Sequence, residues 1–231
     1  MNARIPLATR TLLNVILLIL VGSYPAGVSA NLIAISGLYN TGTLNDGTLA
    51  AGGSVDLHYS LVQSADPNYP GPNAYISDPI ATGAWVPNTT TSQWIQPESG
   101  SGWQNLAGGW YDYRLTFNLN GLHPATASIN GSWAADDTGQ ILINGINTGN
   151  VSQGFGYWAA FAVSNGFVSG INTLDFLVLN AWTLYTPTGL QVNNLTGTAQ
   201  AVPEPSTMLL LGFGMLCLFG AVRGKNKVKA A

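Results

Sequence analysis

The chain has 231 residues, and only 7% of them are charged, against ~25% in an average soluble protein. Its formal net charge is −3, yet residues 31–201 hold nine acids (Asp46, Asp56, Asp66, Asp78, Glu98, Asp112, Asp136, Asp137 and Asp175) against one base, Arg114, hence a formal −8. That sign excludes nucleic acid as a partner, and the only cysteine, Cys217, lies outside the acidic stretch, which excludes disulfides, thiolate zinc sites and cysteine catalysis within it.

The first predicted element is a secretory leader. Arg4 and Arg10 form a basic region, Leu12 to Val21 is apolar except for Asn14, and Val28-Ser29-Ala30 places small residues at a cleavage site. The pattern predicts a signal helix over residues 1–30, cut between Ala30 and Asn31, and export through the inner membrane.

Residues 31–201 then have the length of one domain, 171 residues, enough to build a core unaided. Their signal is alternation. Val55, Leu57, Tyr59 and Leu61 share one parity, with His58 on the other. Tyr111, Tyr113, Leu115, Phe117 and Leu119 alternate with Asp112, Arg114, Thr116 and Asn118, and Ala125, Ala127, Ile129 and Trp133 with Thr126, Ser128, Asn130 and Ser132. Successive strand side chains point to opposite faces, so each run has a buried and a wet side. Residues 140–144, 155–163, 174–180 and 190–195 read as further strands, and Asn120-Gly121, Asn144-Gly145 and Asn165-Gly166 as turns. With no amphipathic helix between them, the prediction is an all-β antiparallel β-sandwich, most simply a jelly roll. Residues 64–102, rich in Pro, Gly, Ser and Thr, are expected as long loops at one end.

No catalytic residue is assigned. No Gly-x-Ser-x-Gly elbow or glycine-rich phosphate loop occurs, and His58 and His123 lack partners at zinc spacing. Asp136 and Asp137 are neighbours, whose side chains point apart on a strand, so they do not make the facing pair of a glycosidase. They offer oxygen ligands for calcium; the competing reading is a solvated hairpin turn. Aromatic faces suit the apolar faces of sugar rings, and an indole N–H can bond a hydroxyl. Trp85, Trp94 and Trp103 fall in the loop-rich segment, and Trp158 is out of register with Phe155, Tyr157, Phe161 and Val163. These four are the candidate carbohydrate contacts, with sandwich core as the alternative, which is the reading for Trp133.

The tail, residues 202–229, has three ordered parts: Val202-Pro203-Glu204-Pro205-Ser206, an uncharged apolar run from Met208 to Val222, and the bases Arg223, Lys225, Lys227 and Lys229. As a helix the 15-residue run covers roughly 22 Å, against a hydrocarbon core of ~30 Å. It is expected as a short transmembrane helix over 208–222, with the bases holding its C-terminal end in the cytoplasm.

The tail closely resembles the PEP-CTERM sorting signal, carried by Pro203, Glu204 and Pro205, the apolar run, and Arg223 with Lys225. The resemblance implies recognition and processing by an exosortase, an integral-membrane cysteine transpeptidase of Gram-negative bacteria that make exopolysaccharide. The alternative is an ordinary C-terminal anchor. A second resemblance spans about 70 of the 171 central residues. Residues 113–117, Ala127 to Trp133, Asp136-Asp137-Thr138-Gly139, Ile143-Asn144-Gly145 and residues 172–176 are similar to galactose-binding-like jelly rolls, many of which bind carbohydrate. The expected protein is non-enzymatic and exported. It is held in the membrane until an exosortase processes it, and then meets exopolysaccharide or another surface glycan at the outer surface or in the matrix. A structural or adhesive matrix protein without a glycan site and a periplasmic glycan hydrolase are the alternatives.

Overall fold

The alternating runs form the longest strands of the computed structural model, which describes residues 31–78, 83–100, 105–181, 186–202 and 211–217. Residues Asn31–Val202 make one unit. Its strands are β1 (Leu32–Ala34), β2 (Val55–Gln63), β3 (Asn73–Ile76), β4 (Ile95–Gln96), β5 (Gly109–Asn118), β6 (Ser128–Asp136), β7 (Thr138–Ile143), β8 (Ile146–Val151), β9 (Ala159–Val163), β10 (Ile171–Asn180) and β11 (Gly189–Gln200). All pairings are antiparallel.

Their order is β8-β7-β10-β5-β2-β3-β4-β11-β6-β9, with β1 added to β11. The sheet folds over at β2–β3, so that β8-β7-β10-β5-β2 faces β3-β4-β11-β6-β9. Asn150 of β8 donates to the Ala162 carbonyl of β9 at 3.1 Å, which nearly closes a barrel. The alternating residues meet between the layers: Trp133 of β6 lies 5.5 Å from Phe176 of β10, and Phe161 of β9 lies 5.9 Å from the same ring. Tyr111, Tyr113, Leu115 and Phe117 are buried beside them, as the period of two requires. The architecture is thus the predicted all-β antiparallel sandwich.

Local chemistry sets the turns and bulges. Asn144 and Gly145, with φ of 50° and 78°, supply the two positive-φ positions of a type I′ hairpin turn and put Ile143 opposite Ile146. Three expectations are corrected. Of the four apolar residues of β2 expected inside, only Tyr59 and Leu61 are buried; Leu57 is 58% exposed and Asp56 is turned inward instead. There the Asp56 carboxylate accepts the N–H groups of Gly42, His58 and Tyr59 at 2.6–2.8 Å. The run from Ala125 begins as a 3-10 turn, Pro124–Thr126, and becomes strand only at Ser128. The strand expected over residues 155–163 starts at Ala159, after a turn.

Beyond residue 202, residues 211–217 are helical. Among the described residues no helix is long and apolar enough to cross a membrane. The signal helix expected over 1–30, Trp103, Pro203 to Pro205, Arg223 and Lys225 lie outside the described residues.

Candidate functional site

Three of the four candidate tryptophans come together, in a small second core. The segment before β4 crosses the outer face of β6 and β11. Trp85 lies against Gly189, where a Cβ would sit 3.1 Å from the ring and 2.9 Å from the Ile95 carbonyl; only glycine leaves room for the indole. Trp85 Nε1 donates to Asp136 Oδ2 at 2.8 Å, and Trp94 Nε1 donates to the Val86 carbonyl at 2.8 Å. The two rings are 4.2 Å apart. They pack with Val86 and Ala134, and Phe155 and Trp158 close over them half-buried. Gln191 of β11 donates to Ser92, fastening the same segment.

This packing corrects the expectation for Trp85 and Trp94. At 8% and 0% exposure, with both indole N–H groups bonded to protein, neither offers a face to a sugar. The segment covers the outer face of β6 and β11 at Ala134, Asp136 and Gln191.

The Asp136–Asp137 corner also departs from expectation. Asp136 is buried and shares a hydrogen bond with Asp137, so the two carboxyls meet. Burial first, then the Asp137 charge and this shared bond, push Asp136 up to about 8, while the Trp85 N–H pulls the other way. Asp137 Oδ2 accepts the Ala181 N–H at 2.9 Å. A shared hydrogen bond is far shorter than the ~5–9.5 Å that separates the carboxyls of a glycosidase. Each residue also has an oxygen engaged by a protein N–H. Among the described residues no group of three or more His, Cys, Asp or Glu side chains could hold a metal ion.

An open cleft of about 510 Å³ lies beside this corner, lined by Ala84, Asp137, Gln153, Gly154, Phe155, Gly156 and Tyr157. The 152–158 turn builds it. Ser152 N–H bonds the Gly139 carbonyl, Gly154 N–H bonds Ser152 Oγ, and the Phe155 carbonyl accepts the Val86 N–H. The turn thereby ties the cleft to β7 and to the tryptophan segment. Tyr157, 69% exposed, stands at its edge. Gln153 and Asp137 supply amide and carboxylate oxygens, while Gly154 and Gly156 pack close to the Asp137 and Ala84 carbonyls, each of which a Cβ would meet at 3.3 Å.

Sequence reasoning missed two aromatic residues at the surface. Tyr157 reads as strand interior because Phe155, Tyr157, Phe161 and Val163 share a parity; its exposure follows from the turn that precedes β9. Trp110, 37% exposed, was legible, since it is out of phase with the buried Tyr111, Tyr113 and Leu115.

No curated protein matches the chain. Solved structures similar to it include a mutant of a carbohydrate binding module family 29 (12% identity, covering 73% of this chain and 92% of that one, TM-score 0.38). Another is a CBM29-2 mutant complexed with cellulohexaose (11%, 78% and 100%, TM-score 0.40). A third is CBM35 from Paenibacillus barcinonensis (16%, 62% and 94%, TM-score 0.31). At the C-terminal end, where the three ordered parts of the tail lie, residues 201–224 match the PEP-CTERM protein-sorting motif.

Proposed function

We propose that the chain is an exported exosortase substrate whose sandwich binds carbohydrate without cleaving it. The sorting motif at residues 201–224 supports the first half: an apolar run with a basic end suits a membrane anchor held until processing. The leader pattern at residues 1–30 agrees with it. After processing the sandwich belongs to the outer surface or extracellular matrix, where exopolysaccharide is the partner.

The observation that carries the second half is the cleft beside Asp137. An exposed tyrosine ring beside amide and carboxylate oxygens, on a surface nearly free of positive charge, is what a neutral, hydroxylated ligand needs. The ring covers an apolar sugar face, and Gln153 and Asp137 accept its hydroxyl protons. Titrating the full chain, purified in detergent, with the host's exopolysaccharide tests this. Saturable binding that weakens about tenfold in Tyr157→Ala is the expected result. Absence of binding by the wild type would favour the second reading, a matrix scaffold without a glycan site. Burial of Trp85, Trp94 and Trp133 speaks for that scaffold.

A further inference from the structure

The outer face of β7, β10 and β5 carries a second ordered set of groups. The strand register puts Thr138, Leu179 and Trp110 in one cross-strand row, with Gln140, Leu177 and Asp112 in the next. Arg114 and Asp175 follow as directly paired neighbours. Leu177 and Leu179 are half-buried and form an apolar strip beside the exposed Trp110.

The polar groups here are only partly used. Arg114 gives Nε and Nη2 to Asp175, at 2.6 and 3.1 Å. Asp112 Oδ1 is buried with no hydrogen-bond partner, and its Oδ2 stands 4.0 Å from Arg114 Nη2, beyond hydrogen-bond range. Oδ1 is enclosed, so Oδ2 is the carboxylate oxygen that a hydroxyl-bearing ligand can reach, on a side chain that keeps 15% of its surface exposed. Beside that acceptor, Arg114 keeps the donors of its Nη1 edge.

We propose that this face is a second carbohydrate-contact surface whose ligand is a neutral, extended polysaccharide strand, stacked on Trp110 and hydrogen-bonded to Asp112 and Arg114. The inference rests on the carbohydrate reading above and adds a ligand class and residues to it. Charge argues for a neutral ligand. Asp175 offsets Arg114, Asp112 leaves the patch negative, and the sandwich as a whole holds nine acids against one base; a polyanion would be repelled. Shape argues for a strand. Trp110, Asp112 and Arg114 are alternate residues of β5 and span roughly 13 Å. The row from Trp110 to Thr138 crosses two strand spacings, about 10 Å, and Thr138 directly follows Asp137 of the cleft. Such an open strip takes the interior of a chain, where a closed pit would take its end.

Affinity electrophoresis of the full chain in detergent tests this, in gels containing hydroxyethylcellulose, galactomannan or, as the polyanion, alginate. The wild type should be retarded by a neutral polymer and pass freely through alginate. Trp110→Ala should weaken the retardation about tenfold, Asp112→Ala about fivefold, and Trp110→Phe should stay within about threefold of wild type. A cooperative thermal unfolding transition confirms that each variant is folded. Trp110→Ala within about twofold of wild type, with Tyr157→Ala impaired, would overturn the second surface and leave the cleft intact. Retardation by alginate alone would overturn the neutral ligand. A wild type retarded by none of the three would overturn this surface and the carbohydrate reading together.

Discussion

Asp136 sets the pH behaviour of the domain. Its carboxyl is buried against the Trp85 indole and hydrogen-bonded to Asp137. An unfolded aspartate releases its proton near ~3.9, whereas burial and Asp137 hold Asp136 up to about 8. Between those values the folded state keeps a proton that the unfolded state has lost. Each rise of one pH unit therefore lowers stability, by at most ~1.4 kcal/mol, and the loss levels off above about 8. Asp112, pushed up to about 6 by burial and by Asp175 against the pull of Arg114, adds to the same trend at lower pH. The thermal midpoint should fall as pH rises from about 5 to about 8, opposite to ordinary acid denaturation. Asp136→Asn keeps an acceptor for Trp85 and carries no charge, so its midpoint should be flatter over that window. A wild-type midpoint that rose across it would contradict this account. Trp94→Ala belongs to the same corner. Because the indole is fully buried, the substitution should cost about 3–5 kcal/mol of stability, measured by urea unfolding, whether or not a glycan is present.

At the scale of elements, β2 shows how one buried polar group can override a hydrophobic pattern. A regular strand would bury Val55, Leu57, Tyr59 and Leu61 together. The register with β3 and with β5 shifts along the strand instead, Asp56 turns inward, and Leu57 turns out. Burying Leu57 would gain ~1.5–3 kcal/mol. The three N–H groups that Asp56 accepts would each cost ~1–3 kcal/mol if left without a partner, so the carboxylate wins. Asp56→Ala should lower stability by at least about 3 kcal/mol in urea titration, and Asp56→Asn by less, because its one oxygen still accepts. The same logic separates what was legible in the sequence from what was not. The inner face of β5, Tyr111 to Phe117, and the inner residues Ile129 and Trp133 of β6 follow a period that any sheet must obey, and they were legible. The Asp56 bulge was not, because its partners are backbone groups, one of them on a different segment. Nor was the tryptophan segment, because irregular backbone has no period. Trp85, Trp94 and Trp158 meet only when β6 and β11 lie side by side, whereas Tyr157 and Trp110 stay at the surface.

For the whole molecule, the chain termini of the sandwich and the cleft lie at opposite ends of β11. β1 pairs with the end of β11, Leu32 opposite Gln200, and the Ala201 N–H reaches the Asn31 carbonyl at 3.3 Å. The chain therefore enters and leaves the sandwich at one place. At the other end of β11, Gly189 pairs with Asp136 beside the cleft. Twelve residues of strand lie between, roughly 35 Å. Val202 is still bonded to the Gly121 carbonyl at 2.8 Å, and Pro203 follows at once. A tail anchored in a membrane would thus hold the sandwich by the end remote from the cleft, and binding should not depend on release. Replacing Pro203 and Pro205 together with alanine separates the two functions. In the host, the variant should accumulate in the membrane fraction at full tail length, while the wild type should lose its apolar segment, with intact mass as the readout. Membranes bearing the variant should still capture labelled exopolysaccharide with the affinity of the processed protein, within about threefold. Normal processing of the variant would mean that the apolar run and its bases suffice as an anchor, without recognition of the proline motif. Processing blocked and binding lost together would mean that the tether reaches the cleft, against the separation that β11 imposes.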